Sequence, residues 1–276
     1  MKEQILRAIE EVYASRPLVH SITNFVVMNV TANALLAAHA SPLMAHAAEE
    51  MDDLTNIDSA LVLNIGTLDP AWLESMELAG KLMRAKGKPV VLDPVGAGAS
   101  RLRTEASLRL LDMVRPQIVR GNASEIMALA SEIRRAERLP SPADSPSAKG
   151  VDSLHDSREA VESARFLAER FACAVSISGE RDFITDGQTV LMVEGGSPFM
   201  PLVTGMGCSA SAVTGAYAAC AEPLAAAAAA MAVFASAGEK AGRLASGPGT
   251  FLPHFLDELY AVDAEDAAGR VKMIEI

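Results

Sequence analysis

The residues with the most chemical promise form one run, Val203-Thr204-Gly205-Met206-Gly207-Cys208-Ser209-Ala210-Ser211-Ala212. Two glycines one residue apart stand ahead of a long Ala-rich apolar stretch that reads as a helix. A helix that starts there offers bare backbone N–H groups and the positive end of its dipole, which together attract anions. Cys208 falls in the first turn, where negative charge is favoured. The pattern is that of a phosphate-handling loop with a reactive side chain inside it. The same spacing also serves as a simple tight turn, so other parts of the chain have to decide.

Those other parts lie at the ends of short apolar runs. Leu92-Asp93-Pro94-Val95-Gly96-Ala97-Gly98 puts an acidic residue where a strand ends. Asp93 can simply cap the loop, or it can bind a metal-held water, as such carboxylates do in phosphoryl transfer. Arg120-Gly121-Asn122-Ala123-Ser124-Glu125 has the spacing of a capping box, with Asn122 at N-cap and Glu125 at N3. That role is compatible with a second one, in which Arg120 meets a phosphate and Glu125 a cation-bound water. Ser178-Gly179 follows another apolar run, and its hydroxyl suits either a nucleotide phosphate or an ST-turn. Near the N-terminus, Val19-His20-Ser21-Ile22-Thr23-Asn24 supplies Thr23 or Asn24 as N-cap of a helix carrying Asn29, Thr31 and Asn33. His46 ends Ser41-Pro42-Leu43-Met44-Ala45-His46 and reads as structural. Zinc spacings, the Gly-x-Ser-x-Gly elbow and the Gly-x-x-x-x-Gly-Lys phosphate loop do not occur.

The elements that position these residues alternate. Short, continuously apolar strands are expected at 18–22, 42–45, 60–65, 89–95, 118–120 and 174–178. Helices are expected at 24–39, 48–56, 70–85, 104–114, 123–134 and 157–171. This is βαβ alternation: an α/β fold with a mostly parallel central sheet and helices on both faces. In such sheets ligands bind beyond the carboxyl ends of the strands, where Asp93, Arg120 and Ser178 fall. An antiparallel hairpin is expected at 183–185 and 190–193 around Asp186-Gly187, then mostly helix from Ser209, and a last strand at 271–276. The stretch 135–153 holds three prolines and little apolar content, and reads as a mobile surface loop within one domain spanning 1–276.

Bulk composition narrows the class. Net charge is −11, so no basic footprint for nucleic acid exists and an anionic substrate must be met by local groups. Only one Trp and three Tyr are present, so the core is aliphatic and filled with Ala and Met. The three cysteines, Cys173, Cys208 and Cys220, fit neither a disulfide framework nor a zinc site and point to a reducing cytoplasm. The first ten residues form a charged amphipathic helix without the apolar region of a secretory leader. The apolar stretch 224–235, with Pro223 in its first turn, reads as a buried helix and not a membrane span.

The chain resembles the hydroxyethylthiazole kinases, thiamine-salvage enzymes of the ribokinase-like superfamily. The matching blocks are VHSITNFVVMNVTANALLA, ASPLMAHA, LVLNIGTL, VVLDPVGAGAS, VRGNASEIMALA, SGERDFITDG, VTGMGCSASAVTGA and GPGTFLPHFLD, in order from residue 19 to about 257. The resemblance implies transfer of the ATP γ-phosphate, with Mg²⁺, to the primary alcohol of 4-methyl-5-(2-hydroxyethyl)thiazole. It further implies a homotrimer with the acceptor site near subunit interfaces. By the same resemblance Met44, Asn24 and Gly205 meet the acceptor, and Arg120, Ser178 and Asn122 meet ATP. Gly205, Gly207 and Cys208 form the catalytic loop, and Glu125 and Asp93 serve the metal. Cys208 stands where related sugar and vitamin kinases carry an Asp base. Two departures from the family pattern are Met206, where the loop usually has Thr, and Ser21, where Cys or another small residue follows the His. The alternatives are a kinase for another small alcohol, such as hydroxymethylpyrimidine, and a nucleotide-binding sensor that has lost catalysis.

Overall fold

A computed structural model describes residues 1–140 and 153–275. The chain runs α1 (Lys2–Ser15), β1 (Leu18–Ile22), α2 (Met28–Ala37), β2 (Ser41–Leu43), α3 (Met51–Ile57), β3 (Ala60–Asn64), α4 (Pro70–Ala85) and β4 (Val90–Asp93). It continues α5 (Arg101–Val114), β5 (Ile118–Asn122), α6 (Ala123–Glu137), α7 (Ser153–Phe171), β6 (Ala174–Ser178), β7 (Asp182–Thr185) and β8 (Val190–Val193). The last elements are α8 (Met206–Ala218), α9 (Pro223–Leu244), α10 (Pro248–Tyr260), α11 (Ala264–Gly269) and β9 (Val271–Met273).

The described strands form one sheet in the order β2-β1-β3-β4-β5-β6-β7-β8-β9. From β2 to β6 every pairing is parallel, and from β6 to β9 every pairing is antiparallel. Strand order reverses once: β1 sends the chain outward to β2, and the next strand, β3, lies on the other side of β1. That switch point opens a crevice beyond the carboxyl ends of β1 and β3, the usual ligand position in such sheets.

Side chains alternate across the sheet with period two. In β3, Val62 enters one apolar cluster with residues of α1, α2, α8, α9 and α10, while Leu61 and Leu63 enter the opposite cluster with α4 to α7. Every residue of β3 and β4 is buried, as continuously apolar parallel strands require. The Ala-rich α9 is a core helix. It is long and apolar enough to cross a membrane, yet 83% of its apolar window is buried inside the protein.

The differences from expectation are local. The helix expected from Asn24 begins at Met28, its N-cap is Val27, and that cap makes no side-chain bond. Neither Thr23 nor Asn24 caps it, because residues 24–27 are occupied by a turn in which Val27 N–H bonds Asn24 O at 3.3 Å. Helix α5 begins three residues early, at Arg101, because the Ser100 hydroxyl caps it. Residues 135–137, assigned to the surface loop, continue α6, and α7 starts at Ser153 in place of 157. Residues 141–152 of that loop lie outside the described residues, and the expected last strand ends at Met273, its final position, 276, also lying outside them.

Candidate active site

The loop after β8 leads into α8 through Gly205, whose φ of 87° is the left-handed conformation open to glycine. A Cβ there would sit 2.9 Å from both Val27 Cγ1 and Val30 Cγ1. The first backbone bond of α8 runs from Ser209 N to Gly205 O at 2.8 Å. The N–H groups of Met206, Gly207 and Cys208 therefore have no intrahelical acceptor, and Gly205 offers no side-chain cap. Bare donors and the dipole coincide there, as the sequence predicts.

Arg120, near the end of β5, closes one side of this mouth. Its Nη1 donates to Gly207 O at 2.9 Å. A Cβ on residue 207 would lie 3.0 Å from that nitrogen, so a larger residue would press the guanidinium aside by a few tenths of an ångström. The Nε of Arg120 is buried and without a partner. A buried cation with an unspent donor, beside three unpaired N–H groups, is a site built for an anion. Both line a cavity of about 1050 Å³ together with Ser178, Gly205, Gly207, Met200 and Phe234. The Ser178 hydroxyl donates to Gly121 O at 3.4 Å instead of closing an ST-turn, and Asp182 takes the turn's N–H from Gly179 at 3.0 Å.

Beside this mouth, a chain of side chains joins the strand ends. Asn24 Nδ2 donates to Asn64 Oδ1 at 2.8 Å, and Asn64 Nδ2 donates to Asp93 Oδ2 at 2.8 Å. Ser211 Oγ donates to the same Asp93 oxygen at 2.7 Å. Asn24 Nδ2 also lies 3.5 Å from Cys208 Sγ. Burial pushes the Asp93 carboxyl up to about 6, opposed chiefly by the Arg120 guanidinium. Burial and the Asp93 charge push the Cys208 thiol up to about 11. The sulfur is a neutral thiol at physiological pH, which a helix N-terminus alone would not lead one to expect.

Glu125 and Asn122 form the capping box that their spacing predicts. Asn122 Oδ1 accepts from Glu125 N at 2.9 Å, and Glu125 Oε2 accepts from Asn122 N at 2.9 Å. Glu125 Oε1 also accepts from Gly96 N at 2.8 Å, tying α6 to the loop after β4. No group of three His, Cys, Asp or Glu able to hold a metal occurs among the described residues. Two carboxylates at neighbouring strand ends still suit a hard cation that keeps most of its water and takes the rest of its ligands from phosphates.

Met44 lies just past β2, partly exposed, and is not among the residues that line the large cavity. His46 stacks on Trp72 with centroids 4.0 Å apart, and Phe25 meets the same indole at 4.7 Å. Met206 is 6% exposed and packs into the apolar cluster beneath α8. The loop's departure from Thr thus adds apolar packing and leaves every backbone donor in place.

The hydroxyethylthiazole kinase family model matches residues 9–265. The chain belongs to the hydroxyethylthiazole kinase family. A hydroxyethylthiazole kinase of Nitratidesulfovibrio vulgaris is 52% identical over 272 residues, covering 98% of this chain and 97% of that one. The solved structure of a hydroxyethylthiazole kinase from Pyrococcus horikoshii superposes with a TM-score of 0.87 at 40% identity, with both chains fully covered. A Staphylococcus aureus pyridoxal kinase in complex with AMP-PCP and pyridoxal shares the fold, with a TM-score of 0.58 at 19% identity over 81% of this chain and 88% of that one. The fold is thus α/β and ribokinase-like, with the mostly parallel sheet and two helical layers that the sequence implies.

Sequence reasoning missed three residues that hold this site. Asn64 is the one polar residue ending the buried run Leu61-Val62-Leu63, a detectable signal for a strand-end role. Ser211 lies one helical turn beyond Gly207, on the face that Asp93 meets. Arg103 has no sequence signature, yet its guanidinium donates to Ile65 O, Val95 O and Gly66 O at 3.1, 2.8 and 2.7 Å, clamping the two loops beyond β3 and β4.

Proposed function

We propose that this protein transfers the γ-phosphoryl group of ATP to the primary alcohol of 4-methyl-5-(2-hydroxyethyl)thiazole, in thiamine salvage. The observation that carries this reading is the mouth of α8. Its unpaired N–H groups and Arg120 face a cavity large enough for a nucleotide, and Cys208, in the first turn of the same helix, lies 3.5 Å from the Asn24 amide nitrogen. In this reading Arg120, Ser178 and Asn122 hold the triphosphate, and Met44, Asn24 and Gly205 hold the acceptor. Asp93 and Glu125 would hold Mg²⁺ when it is bound, and the ion would supply neutralisation of phosphate charge. A homotrimer in the cytoplasm completes the picture. Phe25 and Val26, 60% and 64% exposed beside Asn24, support an acceptor site near a subunit boundary.

In the reaction the alcohol oxygen forms a bond to Pγ while the bond from Pγ to the bridging oxygen of ADP breaks. The Gly205–Cys208 donors and Arg120 stabilise charge on the transferring oxygens, the dominant requirement of a loose transition state. A thiol pushed to about 11 cannot act as a pre-formed thiolate at pH 7. Cys208 orients the hydroxyl, and the alcohol proton leaves late, to an oxygen of the transferred phosphoryl group. Cys208→Ala is accordingly expected to lower kcat by less than about tenfold, below the 10²–10⁴ range of full acid–base catalysis. Iodoacetamide labelling of Cys208, read by mass spectrometry, should stay slow at pH 8 and accelerate only above about pH 10. A larger kcat loss, or fast labelling at pH 7, contradicts this role.

The decisive assay is ADP release from purified protein with Mg-ATP and the thiazole alcohol, beside hydroxymethylpyrimidine and ribose. Turnover dependent on the thiazole alcohol establishes reaction and acceptor together. Turnover with another alcohol alone moves the acceptor, and no turnover despite ATP binding rejects the reading.

A further inference from the structure

The large cavity holds a carboxylate that phosphate binding does not use. Asp182, the first residue of β7, lines it beside Arg120, Ser178 and Gly179. Its Oδ1 accepts from Gly179 N at 3.0 Å, and its second oxygen has no partner among the described residues. Burial pushes this carboxyl up to about 6, opposed by the Gly179 N–H and then by Arg120, so at pH 8 it is ionised and can only accept. A negative charge in a cavity meant for phosphates is repelled by them, so its place there asks for a donor. The other two carboxylates that line the cavity differ. Glu239 is taken up by Arg243 and Arg270, and Glu180 stands exposed in the turn.

The sheet register places Asp182. Asn122 of β5 pairs with Ser178 of β6, and Asp182 of β7 pairs with Val193 of β8. Ile177 lies opposite Phe183, and the same register continued by one step sets Ser178 opposite Asp182. Paired residues share a face, and Val193 shows which one: it enters the apolar cluster with α8 and α9. The four residues form a row along the ligand-side edge of the sheet, about 14 Å long at three strand spacings. One end of the row adjoins Arg120 and the α8 mouth, where phosphates belong. The other end is apolar: Val193, Met231, Phe234 and Ala235 line the cavity and are buried, which suits a flat base. In a nucleotide the sugar joins phosphates to base, and Asp182 stands in the row between the two ends.

We propose that Asp182 is the ribose-binding residue of the donor site: its free oxygen accepts a hydrogen bond from the 2′- or 3′-hydroxyl of ATP while the other stays on Gly179. The proposal rests on the nucleotide reading of the cavity given above. An O–H donor on an ionised carboxylate makes a short, strong bond, as acidic residues do on ribose in dinucleotide-binding folds. The contact also selects the sugar. A nucleotide without that hydroxyl leaves the carboxylate unpaired beside the triphosphate, and a site built around a polar contact rejects the analogue that lacks it.

The test compares Mg-ATP with its 2′-deoxy and 3′-deoxy analogues at pH 8 on the full chain. Kd is read by titration calorimetry, and kcat/KM with the thiazole alcohol is read in parallel. In the wild type, at least one deoxy analogue should bind about tenfold or more weakly than ATP. The fluoro analogue at that same position, which cannot donate, should bind as weakly as the deoxy one. Asp182→Ala should bring ATP and the deoxy analogue within about threefold of each other, because the discriminating acceptor is gone. Asp182→Ser keeps a short acceptor for the Gly179 N–H but cannot reach the sugar, and it should lose the discrimination equally. A residue that only shaped the turn, or that acted through a cation, would weaken all the nucleotides alike. An undiminished preference for ATP in either folded variant therefore overturns the proposal. So does a wild type that binds the deoxy analogues or the fluoro analogue as tightly as ATP, an outcome that needs no variant to fold. Failure of the wild type to bind ATP at all rejects the nucleotide reading of the cavity itself, and the ribose contact with it.

Discussion

Arg120→Ala is expected to lower kcat/KM for ATP by about 10²–10³, the scale on which loss of one preorganised transition-state donor is felt. Three features put the effect at that level. The guanidinium is 7% exposed, so water screens it little. Its position over Gly207 is fixed by the Nη1 bond to that carbonyl, so no reorganisation is needed when charge develops. It is also the main positive influence on Asp93, so its loss drives that carboxyl further towards the protonated form. Arg120→Lys should recover only part of the loss, because an ammonium keeps the charge but cannot bond Gly207 and a phosphate in one plane. Steady-state kinetics with varied ATP, with thermal unfolding to verify folding, measures both. A loss under about fivefold in Arg120→Ala would remove Arg120 from the phosphate site.

The sequence shows this arrangement unevenly, for physical reasons. Strands β3 to β6 are visible because parallel strands buried on both faces have to be continuously apolar, and their end residues are then the natural places for Asp93, Arg120 and Ser178. The capping box of Asn122 and Glu125 is visible because it is local, three residues apart. The α8 mouth is visible for the same reason. What stays hidden is set by pairings over long separations. Asn24 looks like an N-cap in its own neighbourhood, but Asn64, forty residues on, takes its amide instead. The neutral state of Cys208 depends on burial and on Asp93, neither of which its flanking residues encode. Arg103 acts on backbone carbonyls, which leave no residue-type signature at all.

Asp93→Asn is expected to raise stability and abolish most activity. The wild-type carboxyl sits 2% exposed with a folded-state value of about 6 against an ordinary value of 3.8. The folded protein therefore binds this proton more tightly than the unfolded chain does. Between about pH 4 and pH 6 the native state holds more protons, so its stability falls as pH rises through that window and levels off above about pH 7. The shift corresponds to at most about 3 kcal/mol of lost stability at neutral pH. Asn is a neutral near-isostere that can still accept from Asn64 and Ser211, and it does not ionise. In the metal-free, nucleotide-free protein, Asp93→Asn should match the wild type near pH 4 and exceed it at pH 8 by several degrees in Tm. The same substitution removes the one charge that couples Arg120, Ser211 and the Cys208 region, and kcat should fall by about 10² or more. Stability and turnover thus move in opposite directions, the pattern of a charge retained in the interior for function. A variant less stable than the wild type at pH 8 would show instead that the Arg120–Asp93 attraction outweighs the desolvation of the carboxylate. A variant that keeps full turnover would place the cation and the transferring phosphate elsewhere in the crevice.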